Sequence, residues 1–128
     1  MCGIAGIVGN NLQLDDRMKI SAAIHCLQHR GPDAVGIWTS KQNNTILGHR
    51  RLSIIDLSTA ASQPLIYMDR YTIIHNGEVY NYIELRNELQ QKGYAFNSAS
   101  DTEVIAAAYD AWKEQAVQKM DGMSLRIF

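Results

Sequence analysis

Apolar residues along the chain fall into short runs that polar or glycine-rich stretches separate. Ile4 to Val8 is such a run and is followed by Gly-Asn-Asn at 9–11, which predicts a first strand that begins almost at the N-terminus. Apolar residues then recur at helical spacing. They predict a helix with Asp15 and Asp16 as its caps and an end near His29.

The rest of the chain predicts three more strands and two more helices. They are Val35 to Ser40, Thr45 to Arg50, Tyr71 to His75, Tyr82 to Lys92 and Ser100 to about Lys119. Asn76-Gly77 predicts a turn after the last strand, and Gly93 is a natural C-cap. Ser100-Asp101-Thr102-Glu103 has the spacing of a capping box. Strands in adjacent runs, with helices between the groups, indicate an antiparallel, layered α+β fold.

Composition limits the class of protein. The 128 residues suffice for one domain, 46% of them are hydrophobic, and the formal net charge is −1. Neither nucleic acid nor a membrane is therefore expected as a partner. The start lacks a signal-peptide pattern, so Met1 is interpreted as a true start. The two cysteines of this chain favour a reducing, cytoplasmic location, and Cys26 is expected to be a small buried residue.

Cys2 is a candidate nucleophile because of its position. Once Met1 is removed, Cys2 carries a thiol and a free α-amine, whose pKa of about 7.7–8.0 leaves part of it neutral at physiological pH. Such an amine takes the thiol proton directly or through one water molecule, as in N-terminal nucleophiles. A cysteine at position 2 of an arbitrary protein is more often incidental, so position alone decides nothing.

Polar side chains gather at the predicted strand ends, where the sites of layered folds are usually built. Hydrolysis of an amino acid's side-chain amide needs a guanidinium for the α-carboxylate, a carboxylate for the α-ammonium and two donors for the oxyanion. Arg51, Asp101, the Asn76 amide and the Gly77 N–H supply these groups. Taken singly, each has a simpler interpretation, as a surface charge, a helix N-terminal residue or a turn, and spacing does not show that they converge.

Six motifs that occur in this order cover nearly the whole chain. They are Cys2-Gly3-Ile4-Ala5-Gly6, His29-Arg30-Gly31-Pro32-Asp33, Gly48 to Asp56, Gln63-Pro64, Asn76 to Tyr82, and Ser100-Asp101-Thr102-Glu103. Together they resemble the class II glutamine amidotransferases, and the Pro32-Asp33 form is similar to the asparagine synthetase branch. The resemblance implies an N-terminal-nucleophile hydrolase fold, a four-layer αββα sandwich.

The same resemblance implies roles for individual residues. Cys2 is the nucleophile, and Asn76 and Gly77 form the oxyanion hole. Arg51 binds the α-carboxylate of glutamine and Asp101 its α-ammonium, with Glu78 nearby. The segment around Ile54 and Ile55 lines the glutamine pocket. Residues 30–33 position loops rather than react.

The implied reaction is hydrolysis of glutamine to glutamate and ammonia through a Cys2 thioester. In the family, ammonia travels to a C-terminal synthetase domain that uses ATP and magnesium to activate aspartate. This chain departs from the family after Met123 and stops at Phe128, so we expect a C-terminally incomplete sandwich that spans 1–128, without the synthetase domain and without a cofactor of its own. Glutamine, a synthetase domain or subunit, and a second copy of the chain are the expected partners.

Three alternatives stay open at this point. A non-catalytic remnant of such a domain differs only in the reactivity of Cys2. An amidotransferase that serves another acceptor is disfavoured by the Pro32-Asp33 form and by the run from Asn76 to Tyr82. A metal or redox module is disfavoured because the four histidines match no ligand spacing and no Cys-x-x-Cys pair occurs.

Overall fold

A computed structural model describes residues 2–53 and 58–127, and of residues 124–127 it describes the backbone alone. In that part the elements follow one another as β1 (Gly3–Val8), α1 (Leu14–Cys26), β2 (Ala34–Thr39), β3 (Thr45–Arg51), β4 (Leu65–Tyr67), β5 (Tyr71–Val79), α2 (Tyr82–Gln91), α3 (Asp101–Trp112), α4 (Ala116–Lys119) and β6 (Gly122–Ile127). Short 3₁₀ turns lie at Thr59–Ala61 and Lys113–Gln115, and the peptide bond between Gln63 and Pro64 is cis.

The first sheet has the strand order β1-β3-β2, and all its pairs are antiparallel. Helix α1 covers one of its faces, where Ile20 and Ile24 pack with Ile46 of β3. The helix lies very close to the sheet at Gly48, because a Cβ atom there would be 2.5 Å from Cγ1 of Ile24. Glycine in β3 therefore sets the distance between the helix and the sheet.

The second sheet has the strand order β4-β5-β6 and is also antiparallel. Ile73 and Val79 of β5 lie in one buried cluster with Leu89 of α2 and Ile105 of α3. Residues 73, 75, 77 and 79 thus face the helices, and residues 74, 76 and 78 face the opposite way, because side chains alternate along a strand.

The two sheets pack face to face between the helices. Strand β5 comes within 8 Å, measured between Cα atoms, of both β1 and β3. The layers are α1, the first sheet, the second sheet, and α2 with α3. This arrangement confirms the α+β, four-layer αββα sandwich.

Several predicted boundaries were wrong. Asn76-Gly77 does not form a turn, since β5 continues to Val79 and pairs with β6 from Ile74 onward. Helix α1 ends at Cys26 rather than near His29, and Gln13 rather than an aspartate is its N-cap residue. The Cys26 side chain is exposed rather than buried. It lies about 200° around the helix from Ile24, on the face away from the sheet.

The last predicted helix is also divided. Helix α3 ends at Trp112, because Lys113 adopts a positive φ of 52°. Ser100 caps α3 by accepting a hydrogen bond from the Thr102 N–H. The Glu103 carboxylate does not complete a capping box, since it accepts the N–H groups of Asn97 and Ser98 instead.

Candidate active site

Cys2 lies just before β1, with its side chain half-buried. Its Sγ accepts a hydrogen bond from the Leu52 N–H at 3.3 Å, and its carbonyl oxygen accepts one from Nε of Arg30 at 3.1 Å. Gly3, the next residue, pairs with Arg50 of β3. The thiol is therefore held where β3 ends.

Arg51 is the last residue of β3, and its side chain is only 8% exposed. One guanidinium N–H donates to the Ser58 carbonyl at 2.8 Å. A nearby loop holds this strand end from outside: the Asp33 N–H donates to the Arg51 carbonyl at 3.0 Å, and the Asp33 carboxylate accepts the Ser53 N–H at 2.7 Å. A buried cation thus lies one residue from the backbone group that holds the Cys2 thiol.

Strand β5 extends beyond the end of β4 along one of its edges. Strand β4 pairs with β5 only as far as Ile73. On that side the His75 N–H donates to Oε1 of Gln63 at 2.6 Å, and the Val79 N–H donates to Oδ2 of Asp101 at 3.1 Å. Both acceptors are side-chain oxygens, which here take the role that carbonyl oxygens of β4 have nearer the start of β5.

Gly77 lies midway between these two residues. Successive N–H groups of an antiparallel strand point to opposite edges, so the Gly77 N–H points to the same edge as those of His75 and Val79. The Tyr80 N–H, as expected, points to the other edge and donates to the Asp121 carbonyl at 2.7 Å. The Gly77 N–H is therefore directed into the gap between Gln63 and Asp101.

Asn76 and Glu78 point to the other face of β5. The Asn76 side-chain oxygen is buried and has no hydrogen-bond partner among residues 2–53 and 58–127. A buried oxygen without a hydrogen-bond partner is uncommon in folded proteins and calls for an explanation, of which a catalytic role is one. Glu78 is exposed and lies opposite Met123 of β6.

Asp101 is the first residue of α3 and is 5% exposed. Burial raises the pKa of its carboxyl, and the hydrogen bond from the Val79 N–H partly offsets this effect. Nδ1 of His75 lies 3.9 Å from its Oδ2. A cationic ligand at Asp101 would stabilise the ionised carboxylate that burial disfavours.

A direct contact joins the two sheets beneath these groups. His49 of β3 donates from Nε2 to the His75 carbonyl at 3.2 Å, since a carbonyl oxygen only accepts. Burial lowers the pKa of His49 to about 4, so the ring is neutral. His49 is two residues from Arg51, and His75 is next to Asn76. The contact therefore connects the Cys2–Arg51 side of the site with the Asn76–Asp101 side.

Comparison with known proteins shows the family to which the chain belongs. The family model described as "Glutamine amidotransferase domain" matches residues 1–127. The chain belongs to the glutamine amidotransferase domain family. It is 46% identical over 127 residues to the glutamine-hydrolyzing asparagine synthetase 1 of Bacillus subtilis (strain 168), and 40% identical over 125 residues to the glutamine-hydrolyzing asparagine synthetase 2 of Oryza sativa subsp. japonica. Each alignment covers 96% of this chain and 20% of the relative.

A solved structure has the same fold as this amidotransferase domain. The glutamine phosphoribosylpyrophosphate amidotransferase from B. subtilis, complexed with ADP and GMP, superposes with a TM-score of 0.79 at 20% identity. The match covers 99% of this chain and 35% of that one. At this identity the likeness shows the fold alone, and the assignment to the family rests on the sequence matches.

The structure brings most of the predicted site residues of the amidotransferase domain to two adjoining places. Cys2 and Arg51 lie at one strand end of the first sheet. Asn76, Gly77 and Asp101 lie on or beside β5, and Glu78 follows at the surface. The predicted pocket residues Ile54 and Ile55 lie outside the described residues.

Sequence reasoning assigned no site role to four residues that hold these groups in place. Leu52 contacts the thiol through its backbone. His49, Gln63 and Thr102 make side-chain contacts behind the site. All four belonged to recognised motifs, with His49 and Leu52 inside Gly48 to Asp56, and membership of a motif was a usable signal.

Other features of the described part lie away from this site. A cavity of about 770 Å³ between β4 and residues 92–97 is lined by none of the predicted site residues. Among residues 2–53 and 58–127, no group of three or more His, Cys, Asp or Glu side chains is arranged to hold a metal ion. No helix in that part is long and apolar enough to cross a membrane.

Proposed function

We propose that this amidotransferase domain hydrolyses glutamine to glutamate and ammonia through a thioester on Cys2. The observation that carries the proposal is the position of the Cys2 thiol, 3.3 Å from the Leu52 N–H and beside the buried Arg51. A nucleophile and a cation that suits an α-carboxylate thus lie at the ends of neighbouring strands.

The substrate is held at both of its charged groups. Arg51 binds the α-carboxylate of glutamine. Asp101 binds the α-ammonium, and Glu78 adds negative charge nearby. Backbone groups around Ile54 and Ile55 are proposed to line the glutamine pocket. These contacts fix the side-chain amide near the sulfur, which removes much of the entropy cost of the reaction.

The chemistry begins when Met1 has been removed and the Cys2 α-amine takes the thiol proton. The sulfur attacks the amide carbon, and the Asn76 amide and the Gly77 N–H donate to the resulting oxyanion. The carbon–nitrogen bond breaks, the amine returns its proton to the nitrogen, and ammonia leaves. Water then attacks the thioester, with the same amine acting as general base, and glutamate and the free thiol result.

The ammonia is proposed to serve a synthetase part, so that this domain is the ammonia-supplying half of an asparagine synthetase. The chain spans 20% of the length of the curated relatives described above. ATP and magnesium are proposed to act in the synthetase part, and no step above passes through a metal or nucleotide. A cytoplasmic location fits the two free cysteines.

Intact-mass analysis before and after treatment with a glutamine-like diazo-ketone tests the proposal. We expect loss of Met1 and one adduct, which excess glutamine suppresses. The adduct should disappear in Cys2→Ala and persist in Cys26→Ala. Cys26 is a matched control because its thiol is the more exposed of the two.

Two results would contradict the proposal. An adduct that forms equally on Cys26 would show unspecific alkylation of thiols. Retention of Met1, or no adduct on folded protein, would favour the non-catalytic remnant, in which the motifs are present and the thiol is not activated.

A further inference from the structure

We propose that Gln63 is a positioning residue for the glutaminase reaction, which aligns the oxyanion-binding segment of β5 with the Asp101 end of helix α3. The inference rests on the proposed function. It adds a residue that contacts neither Cys2 nor the predicted substrate groups, and that acts through the backbone of His75 and the side chain of Thr102.

Gln63 completes the β5 ladder where β4 is too short to do so. The pairing of β4 with β5 ends at Leu65 and Ile73, so β4 does not supply the acceptor for the next N–H on that edge, that of His75. Oε1 of Gln63 accepts this N–H at 2.6 Å. The side chain thus fixes the peptide between Ile74 and His75, which precedes the His75–Asn76 peptide.

The other end of the same amide reaches helix α3. Nε2 of Gln63 donates to Oγ1 of Thr102 at 3.1 Å. Thr102 is buried and follows Asp101, whose carboxylate accepts the Val79 N–H. One side chain therefore bridges the strand that carries the oxyanion donors and the helix that carries the ammonium-binding carboxylate.

Two anchors on one edge of β5 enclose the Gly77 N–H. Gln63 holds the N–H two residues before it, and Asp101 holds the N–H two residues after it. The His75 carbonyl is fixed as well, by Nε2 of His49 at 3.2 Å. Without Gln63, the hydrogen bond that holds the His75 N–H would be lost. The distance between the Gly77 N–H and the oxyanion would then vary. Displacements of about 1 Å cost on the order of 100-fold in rate.

The test compares Gln63→Leu, which removes both hydrogen bonds, with wild type and with Gln90→Leu on the exposed face of α2. Thr102→Val is a second variant, which removes the hydrogen bond from Gln63 to helix α3 and keeps the one from the His75 N–H to Gln63. Gln63→Glu is the rescue variant, because its carboxylate accepts from the His75 N–H and from the Thr102 hydroxyl. Glutamine hydrolysis gives kcat and KM, and hydrogen exchange followed by NMR reports the His75 amide.

In Gln63→Leu we expect kcat to fall roughly 10- to 100-fold while KM changes by less than about threefold, because the oxyanion contact is made in the transition state. The His75 amide should exchange about tenfold faster. Thr102→Val should lower kcat less, Gln63→Glu should recover about tenfold over Gln63→Leu, and Gln90→Leu should match wild type in every measurement.

The possible failures are distinguishable. If wild type hydrolyses glutamine and Gln63→Leu keeps its kcat, the inference is wrong and the proposed function stands. If wild type is inert while the His75 amide exchanges faster in Gln63→Leu, the proposed function is wrong and Gln63 is only a structural brace. A fall in kcat that Gln63→Glu does not relieve would also overturn the inference, because the hydrogen bonds would then not be its cause.

Discussion

Two charged residues at the candidate site are buried. Arg51 and Asp101 are 8% and 5% exposed, and burial raises the pKa of the Asp101 carboxyl. Charged groups are rarely buried unless a partner offsets the loss of hydration. The Ser58 carbonyl accepts from Arg51 and the Val79 N–H donates to Asp101, and under the proposed function the two charged groups of glutamine add one ionic partner to each.

Asp101→Asn should raise the KM for glutamine by about 10- to 100-fold, because a charge-assisted hydrogen bond to the ammonium is lost while the acceptor for the Val79 N–H remains. In wild type, KM should also rise as the pH falls through the raised pKa of Asp101, since the protonated carboxyl no longer attracts a cation. Steady-state kinetics between pH 4 and 8 measure both effects.

The matched control is Asp69→Asn, an exposed aspartate in the turn before β5. Its KM should equal that of wild type at each pH. A KM in Asp101→Asn that is unchanged and keeps the acid dependence of wild type would remove Asp101 from the ammonium site.

At the scale of elements, packing distance depends on small residues at fixed positions. Helix α1 lies against β3 because residue 48 has no side chain, and a Cβ there would meet Ile24 at 2.5 Å and Ile20 at 2.9 Å. Strand β3 carries His49 and Arg51 a few residues further on. A change in the distance between α1 and β3 would therefore also affect the positions of His49 and Arg51.

Gly48→Ala should lower the free energy of unfolding by about 1–3 kcal/mol, because the added methyl group overpacks the α1–β3 contact. Urea denaturation followed by circular dichroism measures the change. Ile24→Ala makes room beside residue 48, so the double variant should lose less stability than the sum of the two single variants. Strict additivity would show that the contact is not overpacked.

At the scale of the whole molecule, the neutral His49 ring connects the two sheets. It is 1% exposed, and burial lowers its pKa from 6.5 to about 4, with the nearby charges of His75 and Arg51 adding to the effect. The His75 carbonyl acts in the opposite direction. The unfolded chain binds a proton at this residue at a higher pH than the folded chain does.

Stability should consequently fall as the pH drops from 6.5 through about 4, by about 3 kcal/mol in total for this residue. Above pH 6.5 both states are neutral, and the full contribution is present. Urea denaturation at pH 7.5, 6, 5 and 4 measures it. His49→Gln keeps a donor for the His75 carbonyl and should lose this part of the pH dependence.

The exposed His25 provides the control, since His25→Gln should retain the pH dependence of wild type. If His49→Gln also retained it in full, the acid sensitivity would come from other groups, and His49 would not carry a depressed pKa in the folded protein.

The sequence by itself determined the elements whose signals are local. Alternating runs and polar turns predicted β1, β2 and β3, and the glycine after α2 and the serine before α3 predicted two helix ends within a residue or two. Motif order also led to the family, and it named candidate site residues such as Cys2 and Asp101. These signals are reliable because they depend only on the chemistry of neighbouring residues, which is the same wherever the segment lies in the fold.

Only the tertiary structure decided features that depend on distant partners. Asn76-Gly77 reads locally as a turn, but β6 pairs with it and keeps it extended. The roles of His49 and Gln63 follow from where β4 ends and from how the two sheets face each other, and local spacing encodes neither. Backbone groups need a hydrogen-bond partner wherever they are buried, and the identity of that partner is fixed only when separate segments meet.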